Sequence, residues 1–139
     1  MASTSTAHTL QSPDSPFEVE IDRSTGLISV LRMTDGEGTL TRTIDMGVVF
    51  AVGGEEKRHP TGGLMYEDTE DISTIVPSGV FRRVHRGTCD EYQQEAVAGP
   101  LSLTLHYRLF PVAPYVEFAV TLSATNSVLV RNVSVDVSL

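Results

Sequence analysis

A dense run of carboxylates, YEDTED, occupies residues 66–71. Paired carboxylates can act as general acid and base in the cleavage of a glycosidic bond. Carboxylates in one loop can also bind Ca²⁺, but the spacing here is not that of an EF-hand loop, and no glycine stands at the required turn. A solvated acidic loop needs neither function, and the pattern favours that simpler interpretation.

A basic stretch, FRRVHRG, follows over residues 81–87. On a strand, Arg82 and Arg86 would share a face with Val84, and Arg83 and His85 would take the other face. Guanidinium groups bind carboxylates and sugar hydroxyls well. We therefore predict that Arg82, Arg83 and Arg86 form an ion-pair or partner surface, for which the acidic run supplies the simplest set of ion-pair partners.

Four histidines and one cysteine are the remaining candidates for metal ligation or nucleophilic attack. No two of His8, His59, His85 and His106 have the i, i+2 or i, i+4 spacing that brings ligands together, so we expect no zinc site made wholly within this chain. The single cysteine, Cys89, excludes an internal disulfide. The sequence also has no glycine-rich phosphate loop and no HExxH pattern. We therefore assign no catalytic residue, metal ligand or cofactor to this chain.

The overall charge restricts the partners. The 139 residues include 10 Lys and Arg against 18 Asp and Glu, a formal net charge of −8. Nucleic-acid phosphates and anionic membrane surfaces require clustered positive charge, so neither is an expected partner. Residues 1–16 lack the apolar centre of a signal peptide and are predicted to be a disordered leader. No apolar run approaches the ~20 residues of a membrane span, so a soluble chain is expected, in an unspecified compartment.

Short runs rich in Val, Leu, Ile and Thr alternate with turn formers along the rest of the chain, which is typical of an all-β domain. In residues 17–33, FEVEIDRSTGLISVLRM, a period-2 strand leads into a turn at Gly26 and a second strand, which predicts a hairpin. LSLTLHYRLF, residues 101–110, alternates strictly. In VLVRNVSVDVSL, residues 128–139, the apolar phase slips near Arg131 and Asn132, which predicts a β-bulge. DEYQQEAVAG, residues 90–99, fits either a short helix or a ragged edge strand.

Three consecutive long strands at the end of the chain, after two hairpins, predict two packed sheets or one large curved sheet. The expected fold is thus an all-β antiparallel β-sandwich over residues 17–139. Because the final residue, Leu139, falls within a strand, we expect this sandwich to be part of a larger domain, incomplete at its C-terminal end.

Four ordered segments resemble the β-sandwich region of the family 38 glycoside hydrolases, the class II α-mannosidases, and more broadly galactose-mutarotase-like sandwiches. They read FEVEIDRSTGLISVLRM, MGVVFAVGGEEKRHPTGGLMYEDTED, SGVFRRVHRG and GPLSLTLHYRLFPVAPYVEFAVTLSA, and lie within residues 17–125. In that family a strand of the form F-x-(V/L)-x-(F/I)-D-x-x-T-G-L opens the large β domain, and the first segment has this form.

The resemblance implies that catalysis depends on another part of the enzyme. In such enzymes the zinc ion and the catalytic carboxylates lie in an N-terminal α/β domain, which nothing in this sequence matches. The chain alone is therefore expected to be inactive. TGGLMY, residues 61–66, is similar to the loop whose tyrosine reaches the bound sugar; Leu64 stands at that position, and Tyr66 could substitute from the same side of a strand. The resemblance thus makes Tyr66, its neighbour Asp68 and Leu64 the candidates for substrate contact.

Three hypotheses for function follow. The first is a non-catalytic β-sandwich piece of an α-mannosidase-like glycoside hydrolase, which supports or borders a zinc-dependent catalytic domain on another chain or segment. The second is a free-standing interaction or scaffold subunit of a larger complex. The third is a carbohydrate-binding module, against which stand the absence of tryptophan and a total of only five Phe and four Tyr, since sugars usually stack on aromatic faces.

Overall fold

The computed structural model describes residues 7–13, 15–58, 60–111, 115–123 and 129–138, with the backbone alone for residues 54–56 and 64–67. The described residues form strands and no helix, so the predicted all-β fold is confirmed. None of them belongs to a helix that could cross a membrane. The strands are β1 (Ala7–Gln11), β2 (Phe17–Asp22), β3 (Ile28–Asp35), β4 (Gly38–Thr43), β5 (Asp45–Arg58), β6 (Leu64–Ile72), β7 (Val76–Pro77), β8 (Arg82–His85), β9 (Asp90–Ala98), β10 (Leu101–Leu109), β11 (Val116–Ser123) and β12 (Val130–Ser138).

The strands form three antiparallel sheets. Sheet A has the order β1-β2-β3-β4, sheet B the order β12-β5-β6, and sheet C the order β11-β10-β9, with β7 and β8 both paired to the outer edge of β9. The core contains side chains from all three sheets. Those with at most 1% exposure include Val19 and Ile21 of sheet A, Val48 and Phe50 of sheet B, and Leu103, Leu105, Tyr107 and Leu109 of sheet C.

The strict alternation of β10 explains its place in the core. Its odd-numbered side chains, from Leu101 to Leu109, are buried and its even-numbered ones are half-buried on the opposite face. The predicted hairpin is formed by β2 and β3, and the predicted bulge interrupts the pairing of β12 with β5 between Val130 and Asn132. Both predictions are confirmed.

The hairpin turn packs directly against β10. Gly26 has φ +74°, and a Cβ atom there would lie 2.7 Å from Leu105 Cδ1. The Tyr107 hydroxyl donates a hydrogen bond to the Gly26 carbonyl and accepts one from Gln94 Nε2 at 2.8 Å. Glycine is therefore required here both by backbone conformation and by the space available.

Gly26→Ala is expected to lower the free energy of unfolding by about 2 kcal/mol, because alanine meets a left-handed backbone and a side-chain clash together. Urea unfolding followed by circular dichroism measures this. The matched control is Gly36→Ala, where a Cβ meets nothing within 4 Å, and a loss of the same size there would contradict the argument.

Tyr107→Phe removes only the hydroxyl from a side chain with 0% exposure. A tyrosine hydroxyl is protonated at neutral pH, and burial raises the pKa of Tyr107 further, so this hydroxyl remains a donor. We expect a loss of about 1.5 kcal/mol in urea unfolding, because the Gly26 carbonyl and the Gln94 amide are left without this partner. Tyr92→Phe is the control: its hydroxyl donates to the Gln11 carbonyl at an exposed site, where water can replace it. An equal loss in both variants would show that burial does not decide the cost.

Two segments differ from the sequence-based expectations, and a third has a partner strand that the sequence did not predict. Ala7–Gln11 of the predicted leader form β1, an edge strand paired with β2, whose Leu10 is 2% exposed. Residues 90–98 are neither a helix nor an edge, because β9 lies between β10 and the short strands β7 and β8. The last strand, β12, does not lie beside β11 but joins β5 in sheet B.

Candidate functional site

Two adjacent carboxylates at the start of β9 carry the densest polar contacts in the described residues. Consecutive strand residues point to opposite faces, so Asp90 and Glu91 lie on different sides of sheet C. Their side chains are nevertheless 4% and 0% exposed. Charged groups are buried in this way only when they are paired, and each has its own set of donors.

Glu91 accepts from three donors. Arg86 Nη2 lies 3.0 Å from Oε2, Gln93 Nε2 also donates to Oε2, and Arg108 Nε donates to Oε1. Arg108 extends the network across β10, because its Nη1 donates to Glu117 on β11. The network thus connects the residue that follows β8 with β9, β10 and β11 on the outer face of sheet C.

His106 lies beside this network without completing it. Its Nδ1 is 3.4 Å from Glu91 Oε2 but makes no hydrogen bond within the described residues, whereas its Nε2 pairs with Thr121 Oγ1 at 2.7 Å. The contact with Glu91 is therefore a close approach rather than an aligned hydrogen bond.

Asp90 holds three elements together on the other face. Arg83 Nη2 lies 2.7 Å from Oδ2, and His85 Nδ1 lies 2.9 Å from Oδ1. Ser12 follows β1, and its hydroxyl also donates a hydrogen bond to Oδ2. Asp90 therefore attaches the N-terminal strand and β8 to the start of β9.

The electrostatics of both carboxyls favour the ionised form. Burial alone would raise the pKa of Glu91, but hydrogen bonds from Gln93 and the two arginines outweigh it and hold the pKa at about 2. Hydrogen bonds, chiefly from Ser12 and then from His85, lower the pKa of Asp90 to about 2. A carboxylate with so low a pKa is a poor general base at neutral pH.

Ser12, His85 and Asp90 have the residue types of a hydrolytic triad but not its geometry. In a triad the imidazole lies between the hydroxyl and the carboxylate, so that it can take the hydroxyl proton. Here the carboxylate lies between the other two and accepts from both. The arrangement orients Ser12 and His85 toward Asp90 and supports a structural role.

The three predicted arginines all contact β9, but Arg82 and Arg86 do so on the outer face of sheet C and Arg83 on the other face. Arg82 donates to Gln93, Arg83 to Asp90 and Arg86 to Glu91. Arg82 contacts the residue directly opposite it in the antiparallel pairing of β8 with β9, whereas Arg83, which is opposite Tyr92, reaches diagonally to Asp90. Arg86 follows β8 and contacts Glu91 from outside the paired register. The acidic run of residues 66–71, expected as their partner, lies instead in β6 of sheet B.

The substrate-contact candidates lie in β6. Leu64 is paired with Arg58, and Tyr66 with Glu56, but the side chains of Leu64 and Tyr66 are outside the described set, so their predicted contact with sugar remains a prediction. Asp68 is exposed and has φ +61°, a left-handed conformation unusual for a residue other than glycine.

A second feature, the apolar cleft, lies where the three sheets diverge. It has a volume of about 450 Å³, and its ten lining side chains are all aliphatic, methionine or aromatic. They include Phe17 and Leu31 of sheet A, Met46, Val135 and Val137 of sheet B, and Phe118 of sheet C. Soluble monomeric domains rarely leave a contiguous apolar surface of this kind exposed to solvent.

Sequence reasoning missed Asp90, Glu91 and Ser12. A signal for the first two was present: the basic stretch before Gly87 and the segment DEYQQ after Cys89 have opposite charge and form a hairpin. Nothing local marks Ser12, because its partner Asp90 is 78 residues away.

Comparison of this chain with protein-family models, curated proteins and solved structures gave no match. Among the side chains that the structure describes, no three His, Cys, Asp or Glu are grouped so that they could hold a metal ion.

Proposed function

We propose that this chain is a non-catalytic β-sandwich piece that completes its hydrophobic core against a larger catalytic chain or against further domains of the same enzyme. One observation carries this proposal. Val133, Val135 and Val137 face the core side of sheet B but are 39%, 50% and 54% exposed, next to the apolar cleft. Covering such surface is the main source of free energy for protein association.

The proposed parent is an α-mannosidase-like glycoside hydrolase. The ordered resemblance of four segments to the β-sandwich region of family 38 supports this, and an antiparallel β-sandwich is the fold that the resemblance implies. In this proposal the zinc ion belongs to the catalytic domain of the partner. The loop and strand around Leu64, Tyr66 and Asp68 border the sugar there.

The polar clusters of sheet C support a non-catalytic role. Glu91 is enclosed by two arginines, Gln93 and His106, and Asp90 accepts from Ser12, Arg83 and His85. Their ionised carboxylates already have donors on several sides, so they serve better as cross-links between strands than as a general acid and base.

A free-standing interaction subunit is the second candidate, and the same cleft favours it. A carbohydrate-binding module is less well supported. Such modules usually present aromatic platforms, and Tyr115 is the only aromatic residue among the exposed large apolar side chains of the described set.

The experiment is a measurement of native mass by light scattering on the chain as it occurs in its natural source, with an assay on a chromogenic α-mannoside. We expect a complex with a larger chain whose activity is lost with a zinc chelator and returns with zinc. A stable complex without this activity would reject the glycosidase parent in favour of an interaction subunit. A monomer that melts cooperatively and has no activity would overturn the proposal.

A further inference from the structure

The strand β12 has one paired edge and one open edge. Along its length it pairs with β5, from Val130 opposite Val52 to Ser138 opposite Asp45. In the described part of the chain no strand pairs with its other edge, because sheet B has the order β12-β5-β6. The backbone donors and acceptors of that edge are thus a template for a further strand.

The register shows which face of β12 a further strand would extend. Opposite residues in an antiparallel pair point to the same side. Val133 is opposite Phe50, and Val135 is opposite Val48. The side chains of Phe50 and Val48 are at most 1% exposed. The valines therefore belong to the core face, and they are exposed because nothing described lies beside them.

The cleft borders the core face of β12. Val135 and Val137 form one wall, and Phe118 of β11 and Phe17 of β2 line other parts of it. A strand next to β12 would direct every second side chain into this cleft. Apolar side chains at those positions would cover its exposed valines.

The charge of the outer face indicates what the other side chains should be. On that face Asp136 is opposite Gly47, and Asp45 is opposite Ser138, so two exposed carboxylates lie at the same end of sheet B. The whole chain carries a net charge of −8. A second copy of this chain would bring its own Asp136 and its own −8, which disfavours self-pairing, whereas lysine or arginine would complement this face.

We propose that β12 accepts an added β-strand from another chain or domain, with apolar residues at alternate positions over the cleft and basic residues between them. This inference deepens the proposed function and rests on it for the source of the strand. Addition of an extended segment to a sheet edge is an established form of recognition, in which the backbone provides hydrogen bonds and alternate side chains provide specificity.

The test uses the full chain and a labelled peptide of about nine residues, the length of β12, that alternates valine and lysine. Two control peptides replace lysine by glutamate or scramble the order so that alternation is lost. Fluorescence anisotropy measures binding, at peptide concentrations below self-assembly. Amide hydrogen exchange locates the bound peptide.

We expect the alternating Val/Lys peptide to bind about tenfold more tightly than either control and to protect amides of β12. Val135→Lys should weaken binding about tenfold, since a charge facing inward at an edge opposes pairing. The matched control is Val80→Lys, at a site that is 75% exposed and outside the cleft; it should bind as the unaltered chain does. Thermal melting verifies that both variants fold.

Several outcomes would overturn this inference: equal binding of the three peptides, no loss with Val135→Lys, or protection that appears on β4 or β11 instead of β12. A dimer in sedimentation that Val135→Lys dissociates would assign the edge to a second copy and would also reject it. If the natural complex forms but its β12 amides exchange freely, strand addition is wrong while the proposed function stands. If the peptide binds but no natural complex exists, the proposed function is wrong while the edge is still receptive.

Discussion

Replacing Glu91 by alanine is expected to lower the free energy of unfolding by about 3 kcal/mol, because the change leaves two arginines beside a buried site without their shared carboxylate. The side chain of Glu91 is 0% exposed and forms ion pairs with Arg86 and Arg108. Arg108 keeps Glu117 as a partner, which limits the loss. Urea unfolding monitored by circular dichroism gives the value.

The same strand provides the control for this variant. Glu95 lies on the same face of β9 but is exposed, and accepts only from Thr104 among the contacts described. Glu95→Ala should change stability by no more than about 0.5 kcal/mol. Glu91→Gln separates charge from shape, and we expect a loss between those of the two alanine variants. Equal losses for Glu91→Ala and Glu95→Ala would show that the buried network adds nothing to stability.

Acid is expected to destabilise this protein by protonating the buried carboxylates of Asp90 and Glu91. The pKa values of Asp90 and Glu91 fall from 3.8 and 4.5 to about 2 in the folded state. Because the folded-state values are depressed, the stabilisation is fully present above the unfolded-state values. It is lost as the pH falls from about 5 to 2. At 1.36 kcal/mol per pKa unit, each carboxyl contributes about 2 to 3 kcal/mol.

Chemical unfolding repeated at intervals between pH 7 and pH 2 measures this loss. A total of about 5 kcal/mol is a large part of the stability of a domain of this size. In Glu91→Gln only Asp90 remains of the pair, so the decline between pH 5 and pH 2 should be about half as steep. A decline of unchanged steepness in that variant would place the acid sensitivity elsewhere in the chain.

Features that depend on local periodicity could be predicted from the sequence. The alternation of β10 marks its core face directly, from Leu101 to Leu109. The slip of phase near Arg131 marks the bulge, because only an extra residue moves the apolar set from one side of a strand to the other. Gly26 marks the hairpin turn because glycine readily adopts the positive φ that such a turn requires.

Features that depend on distant partners could not be predicted in this way. The hydropathy of β9 is low because it contains Asp90, Glu91, Gln93 and Gln94. Hydrogen bonds to residues elsewhere in the chain allow these polar side chains to be buried. β1 offers a single core side chain, Leu10, and beyond its pairing with β2 this segment is held by residues about 80 positions away, Ser12 to Asp90 and Gln11 to Tyr92. The departure of β12 from β11 depends on its pairing with β5, which no local pattern encodes.

The pairing of β12 with β5 also determines when the fold can be finished during synthesis. Arg131 contacts Gly53 across 78 residues of chain, whereas β9, β10 and β11 are successive neighbours. Pairing between distant segments is slow because a long loop must close first. Phe50 and Val48 therefore have no partner strand beside β5 on this side until β12 has been synthesised. During that interval the nascent chain exposes the apolar surface that chaperones recognise.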